Sequence, residues 1–240
     1  MTALPKANAI HTRQNRILAA LPAADHARLL PHLELVALPA AWVLCEPGVE
    51  FEWLYFPVNS TVSLSYVMEN GSAAEIAITG NDGMVGVSLF MGGASTTSRA
   101  IVQQAGHAYR VKAKTLKLEF ARGGRLQALA LRYAQALLTQ MAQTTVCNRH
   151  HNLDQQLCRW LLMRIDLLSG NELLMTQEQI ANTLGVRREG ITEAAGRLQN
   201  EGLIRYSRGH ITVLDRGALE QRVCECHAVV SAEYARLLPY

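Results

Sequence analysis

The chain has 240 residues, 49% apolar and 18% charged, so it can bury a sizeable core and is no disordered tail protein; length alone admits one large domain or two. Its formal net charge of +3 carries little weight for nucleic acid, because from Thr176 onward eight arginines are matched by eight acidic side chains. Five cysteines, Cys45, Cys147, Cys158, Cys224 and Cys226, form an odd, scattered set, which argues against a disulfide scaffold and for free thiols in a reducing compartment.

Met1 to Arg16 lacks the apolar segment of a signal peptide, and no run of about eighteen apolar residues follows, so a cytoplasmic chain with no membrane partner is expected. Asn15 to Leu21 and Ala24 to Leu35 carry helical spacing around Pro22. From Leu38 to Val111 the texture is of short β-rich runs cut by turn formers: Pro47-Gly48, Asn70-Gly71, Gly80-Asn81-Asp82-Gly83, Gly92-Gly93 and Gly106. The expected strands include Thr61 to Met68, Ala73 to Ile78, Val85 to Phe90 and Ala100 to Gln104, with a tight hairpin at Asn70-Gly71. Such spacing predicts a β-roll or sandwich.

After Arg122-Gly123-Gly124 the pattern turns helical, and Leu126, Leu129, Ala130, Tyr133, Leu137 and Met141 form a long stripe. The stripe serves a subunit interface, packs on the chain's own β domain, or does both; Leu126, Tyr133, Leu137 and Met141 are the expected homodimer contacts. A second helix holds Leu153, Leu157, Leu161 and Ile165 and ends at a cap and turn, Ser169-Gly170-Asn171. Leu203 to Tyr206 and His210 to Leu214 form a small hairpin across Ser207-Arg208-Gly209.

The window Met175 to Leu198 carries the chemistry. Thr176 and Gln179 have capping-box spacing, Ile180, Ala181 and Leu184 give an inner face, and Gly185 permits an abrupt turn. Arg187 opens a second helix whose inner face is Ile191, Ala194 or Ala195, and Leu198, leaving Arg187, Arg188, Glu189, Thr192 and Glu193 outward. An apolar side that seats the helix and a polar front that reaches base edges is what major-groove reading of double-stranded DNA requires. Arg188 and Glu189, with Thr192 and Glu193 beside them, are the expected base readers. Thr176, Arg187, Arg205 and Arg208 are the expected backbone contacts.

On these residues the chain resembles the superfamily of the cyclic-AMP receptor protein and the fumarate-nitrate reduction regulator (CRP/FNR), over about Ile17 to Leu214. Val186-Arg187-Arg188-Glu189-Gly190-Ile191 resembles that family's arginine-glutamate reading helix, although its next base-contacting arginine falls here at Glu193. The resemblance implies an α+β chain: a cyclic-nucleotide-binding-like β-roll at 15–121, a central dimerisation helix at 122–148 and a winged helix-turn-helix at 149–240. It further implies a homodimeric transcription regulator acting at a partly palindromic operator, RNA polymerase as a partner, and an effector in the β-roll.

Ser95, Thr96, Thr97, Ser98 and Arg99 can form an anion nest for a small anionic effector, or a solvated hairpin loop. Arg99 matches the family's phosphate-contacting arginine, but Gly86 stands where its ribose-binding glutamate is expected, which argues against ordinary cyclic-AMP recognition. No metal or Fe-S cluster is expected. Cys224-Glu225-Cys226-His227 lacks a visible second ligand pair, no cysteine cluster precedes Cys45, and His150 and His151 carry no haem pattern. Two alternatives remain open: an effector-responsive protein-interaction module without DNA binding, and a β-barrel metal enzyme should Cys224, Cys226 and His227 meet a fourth ligand. No catalytic residue is expected.

Overall fold

A computed structural model describes residues 9–168 and 170–238. Half of the stretch read for a leader, Met1 to Asn8, and Ser169 of the expected cap and turn lie outside the described residues. Helices α1 (Ala9–Thr12), α2 (Arg16–Ala19) and α3 (Ala23–Leu29) open the chain. Asn15 caps α2 through Oδ1, and its Nδ2 donates to the carbonyls of Pro57 and Gly83 at 2.9 and 2.8 Å, which pins the helices to the β-domain. The helix expected to reach Leu35 stops at Leu29 beside Pro31, and Glu34–Leu38 is already strand β1.

Two antiparallel sheets make the β-roll. One has the order β1-β7-β3, with β3 at Trp53–Pro57 and β7 at Gly106–Lys112; the other runs β2-β6-β4-β5, with β2 at Val43–Cys45, β4 at Thr61–Val67, β5 at Ala73–Thr79 and β6 at Arg99–Gln104. Asn70-Gly71 closes the β4-β5 hairpin, Gly71 taking φ of 83°. The strand expected at Val85 to Phe90 is instead a single bridge at Val85 followed by a 3₁₀ turn, because Gly86 at φ of 114° turns the chain out of the sheet.

Helix α4 (Ala113–Ala121) ends at Gly123 and Gly124, both at positive φ, and α5 (Gly124–His150) follows. Leu126, Tyr133 and Leu137, read from the sequence as dimer contacts, lie in the core shared with the β-roll, and Met141 packs half-buried against it. Tyr133 is fully buried; its hydroxyl meets Thr79 Oγ1 at 2.8 Å, and its ring lies so close to Gly83 that a Cβ there would come within 2.4 Å. The large apolar residues that α5 leaves exposed are others, Leu131 at 53%, Leu138 at 56% and Val146 at 47%.

Beyond α5, α6 (Leu153–Ile165), β8 (Glu172–Leu174), α7 (Gln177–Leu184), α8 (Arg188–Asn200), β9 (Ile204–Ser207) and β10 (His210–Val213) form a second core. Two helices not anticipated from the sequence follow, α9 (Arg216–Arg222), which adds Leu219 to this core, and α10 (Cys226–Leu237), which does not. Helix α10 runs back along α5, setting Tyr234 edge-on to Tyr133 with centroids 6.3 Å apart and placing Leu237 and Leu238 in the first core. No helix among the described residues is long and apolar enough to cross a membrane.

The two cores meet at Arg164 of α6, whose Nη2 donates to both carboxylate oxygens of Glu75 on β5 at 2.9 and 2.8 Å, while its guanidinium lies 3.8 Å over the Trp160 ring. Arg164 is 3% exposed and Glu75 10%, and burial pushes the guanidinium down against the carboxylate's pull. Removing one partner of such a pair strands a charge. Glu75→Ala is expected to lower stability by roughly 3 to 5 kcal/mol, and replacing both residues by apolar ones to restore most of it. Thermal unfolding of the three chains checks this, and an unaltered single variant would show the pair to be unimportant.

Candidate nucleic-acid interface

Thr176 caps α7 as the spacing requires: its Oγ1 accepts from Gln179 N at 3.2 Å, and Gln179 Oε1 accepts from Thr176 N at 2.8 Å. Gly185 then takes φ of 68°, where a side chain would be strained, and closes the helix onto Ala181 O. Arg187 is the extended cap of α8 and not its first helical residue. Ile180, Ala181, Leu184, Ile191, Ala194, Ala195 and Leu198 are all buried together. Their burial leaves Arg187, Arg188, Glu189, Thr192 and Glu193 exposed on the opposite side.

Several of these side chains are already engaged. Thr192 Oγ1 donates to Gln177 Oε1 at 2.7 Å, which ties α8 to α7. Arg197 is clamped on Asp154, with Nη2 2.7 Å from Oδ1, and its hydrogen bonds hold the Asp154 carboxyl below its ordinary range. Among the described residues no hydrogen bond or ion pair engages the side chains of Arg187, Arg188 or Glu189.

The hairpin gains a third strand from β8, giving the order β8-β10-β9. At its tip both Arg208 and Gly209 have positive φ, 49° and 82°, which is the two-residue turn that matches strand twist and turns Arg208 outward. Thr176, Gln177, Glu178, Arg188, Tyr206 and Arg208 wall one open concavity of about 490 Å³, so the front of α8 and the wing tip face a common groove. Arg205 is exposed but stands outside that wall.

A family model described as the Crp-like helix-turn-helix domain matches residues 155–222. Solved structures of the same fold include a transcriptional regulator of the crp/fnr family from Eubacterium rectale, 19% identical, with a TM-score of 0.68 over 88% of this chain and 98% of that one. FixK2 from Bradyrhizobium japonicum is 15% identical, with a TM-score of 0.69 over 80% of this chain and 98% of its own. The c-di-GMP responsive regulator CLP of Xanthomonas campestris is 17% identical, with a TM-score of 0.60 over 81% and 100%. No curated protein matches the chain. Residues 155–222 thus match a Crp-like helix-turn-helix domain, and the chain shares the fold of solved crp/fnr-family regulators. The matched segment holds the helix-turn-helix of α7 and α8 and the β9-β10 wing, and the long helix α5 precedes it.

The segment Ser95 to Arg99 is built differently from the anion nest expected from the sequence. Arg99 Nε donates to Glu46 Oε2 at 2.8 Å, Thr97 Oγ1 donates to the Tyr66 hydroxyl at 2.9 Å, and Thr96 and Ser98 bond to each other at 3.1 Å. Between the β-roll and α5 lies a mainly apolar cavity of about 190 Å³, walled by Phe51, Leu64, Ile76, Leu137, Leu138 and Met141 among others. Thr96, Ser98 and Ser88 contribute hydroxyls to it, and Ser95, Thr97 and Arg99 do not. Ser88 Oγ is buried without a partner among the described residues. Gly86 also lines the cavity, and its left-handed backbone disfavours the glutamate of the family pattern.

The expectation of no metal is overturned. Cys147, His151, Cys224 and Cys226 converge, their ligand atoms all within 4.8 Å of one another, and make a candidate metal site. His227, the histidine next to the Cys-x-Cys pair, is engaged elsewhere, with Nε2 2.9 Å from Asp166 Oδ2. Sequence reading missed that Cys147 and His151 are four apart on one helix, a spacing that places two ligands on the same face.

Proposed function

We propose that this regulator binds a partly palindromic duplex as a two-fold homodimer, with Arg188 and Glu189 reading base edges, Thr192 and Glu193 flanking them, and Thr176, Arg187, Arg205 and Arg208 on the phosphate backbone. The observation that carries the reading is the common groove of Arg188 and Arg208, beside Arg187 and Glu189, which enter no ion pair among the described residues. Arginine pairs in bidentate fashion with guanine O6 and N7, and glutamate accepts from cytosine N4. RNA polymerase enters as a partner through family resemblance. The working units are 15–121 for sensing, 122–148 for dimerisation and 149–240 for reading, although the first turns of α5 also complete the sensing core.

Loss of Arg188 is expected to cost roughly 1 to 3 kcal/mol of discrimination at its base pair. Loss of Arg208 should weaken matched and altered duplexes alike and flatten the salt dependence, because fewer counterions are released. Operators selected from random duplexes, titrated with Arg188→Ala and Arg208→Ala at several salt concentrations, separate the two roles. An unaltered preference pattern in Arg188→Ala would remove it as a base reader, and the absence of any preferred duplex for the wild type would sink the assignment.

For the dimer we place the seam on the exposed side of α5, where Leu131, Gln135, Leu138, Ala142 and Thr145 recur at steps of four and three. That is the 3.5-residue period by which two helices stay in register. Leu138→Glu puts like charges across a two-fold seam and is expected to raise the dimer dissociation constant at least tenfold. Analytical ultracentrifugation over a concentration series reads it; a dissociation constant equal to that of wild type would move the seam elsewhere.

For the effector we place a small, largely apolar molecule in the cavity beneath α5, held by the Ser88, Thr96 and Ser98 hydroxyls. Arg99, paired with Glu46 outside the wall, takes no part, which sets aside the anionic ligand expected from the sequence. Calorimetric screening of small carboxylates, nucleotides and neutral apolar compounds is expected to yield a ligand whose affinity drops several-fold in Ser88→Ala and is unaltered in Arg99→Ala. A ligand that depends on Arg99 and ignores Ser88 would restore the anion nest.

A further inference from the structure

The cysteine-histidine cluster stands where three parts of the fold meet. Cys147 is in the last turn of α5 and His151 is the residue that caps it, so both reach the same side of the helix end. The next residue, Asn152, caps α6, and Gln156 Nε2 donates to His151 O at 2.8 Å, so His151 sits in the bend between the long helix and the DNA-binding unit. Cys224 and Cys226 flank Glu225 at the corner between α9 and α10. All three cysteines are buried in a small cluster of their own with Val223 beside them.

Two ligand-to-ligand distances match a single tetrahedral ion, and all four ligand atoms lie within 4.8 Å of one another. With Zn-S of about 2.3 Å and Zn-N of about 2.0 Å, tetrahedral angles set two sulfurs about 3.8 Å apart and a sulfur and a nitrogen about 3.5 Å apart. Cys147 Sγ and Cys224 Sγ are 3.6 Å apart, and Cys226 Sγ and His151 Nδ1 are 3.4 Å apart. A multi-iron cluster would spread the same ligands around a larger core.

The surroundings suit the metal too. His151 Nε2, on the far side of the ring from Nδ1, is 3.3 Å from the Glu225 carboxylate, the partner that fixes tautomer and orientation in zinc-bound histidines. Gln143 Nε2 donates to Cys226 Sγ at 3.1 Å, a contact that stabilises a thiolate. Three thiolates, one neutral imidazole and Zn2+ carry a net negative charge. Arg159, buried at 5% exposure with its Nε unpartnered among the described residues, supplies the opposite charge beside Cys147.

We propose that Cys147, His151, Cys224 and Cys226 bind one Zn2+ in a closed tetrahedral site that clamps the α9-α10 corner to the bend between α5 and α6. Four protein ligands leave no open position for substrate, so the ion's role is to fix the bend, and with it the angle at which the DNA-binding unit leaves the long helix. This goes beyond the DNA-reading proposal and stands without it.

The full-length chain, purified under reducing conditions, is expected to carry about one zinc per chain by inductively coupled plasma mass spectrometry. Co2+ titrated into the zinc-stripped chain should give thiolate-to-metal charge transfer and intense tetrahedral d-d absorption. Cys147→Ser and Cys224→Ser should lose more affinity than the roughly 10- to 100-fold typical of an outer-shell change, Glu225→Gln should fall within that range, and Cys158→Ser should match wild type. Metal removal should speed amide exchange over residues 147–156 and at the start of α10. Should the serine variants fold poorly, the wild-type cobalt spectrum decides by itself. A wild-type chain that gives no such absorption, or that holds zinc no more tightly than the Cys147→Ser/Cys224→Ser double variant, overturns the site. So does a Cys147-Cys224 disulfide as the dominant form in freshly lysed cells, which would make the pair a redox couple. Exchange that ignores the metal overturns the clamp.

Discussion

The ion pair between Arg164 and Glu75 joins the reading half of the chain to the β-roll, and it differs in kind from the apolar packing on either side. Apolar burial is stabilising wherever it occurs, whereas two charges taken out of water recover their desolvation cost only in one geometry, here a carboxylate accepting twice from the same Nη2. Arg164 Nε finds no partner among the described residues, so the pair is incompletely satisfied even when docked. It therefore contributes more to choosing one arrangement of the two halves than to holding them together. The nearby contacts are slender as well: Gly185 approaches Ala74, and Gly80 approaches Leu167 closely enough that a side chain on it would force a shift.

Strand β5 carries that pair on one residue and the cavity wall on the next. Side chains alternate across a strand, so Glu75 faces the DNA-binding unit while Ile76 faces the cavity beneath α5. Helix α5 has the same double use, contributing Leu137 and Leu138 to the cavity and Cys147 and His151 to the proposed clamp. In the proposed reading a ligand shifts the regulator only by its differential affinity for two arrangements, and these two elements are where such a difference would be felt at the reading helix. The zinc clamp would then set the pivot about which that shift occurs.

What the sequence made legible was local. A capping box, a glycine turn and an alternation of buried and exposed positions all lie within a few residues of one another, so the helix-turn-helix and the Asn70-Gly71 hairpin could be read directly. What it hid was which surface an apolar stripe covers. Periodicity picked Leu126, Tyr133 and Leu137 as one face of α5, but the same face serves the β-roll core, and the large apolar residues left outside, Leu131, Leu138 and Val146, fell off the stripe positions. The metal site was hidden for the related reason that Cys147 and Cys224 are 77 residues apart. Only the i, i+4 pair of Cys147 and His151, set beside the Cys-x-Cys pair, could have suggested it.

The charge around α8 explains why the weak net charge of the chain does not conflict with DNA binding. Arg197 would extend the basic face of α8, but it is held on Asp154, and Arg222 is bonded to Asp154 and Glu201, so neither is free for phosphate. Glu193 stands where the family pattern has an arginine and lies 3.9 Å from Arg197, which keeps that part of the helix close to neutral. The positive charge left facing outward is concentrated on Arg187, Arg188, Arg205 and Arg208, around the groove and the wing tip. In the proposed dimer, few phosphate contacts per subunit would leave much of the affinity to the joining of two subunits on one duplex, since the second half-site is then met at high effective concentration. On that proposal the seam along α5 and the bend at His151 would matter to DNA recognition as much as the reading residues, because they would set the spacing and tilt at which two α8 helices meet successive major grooves.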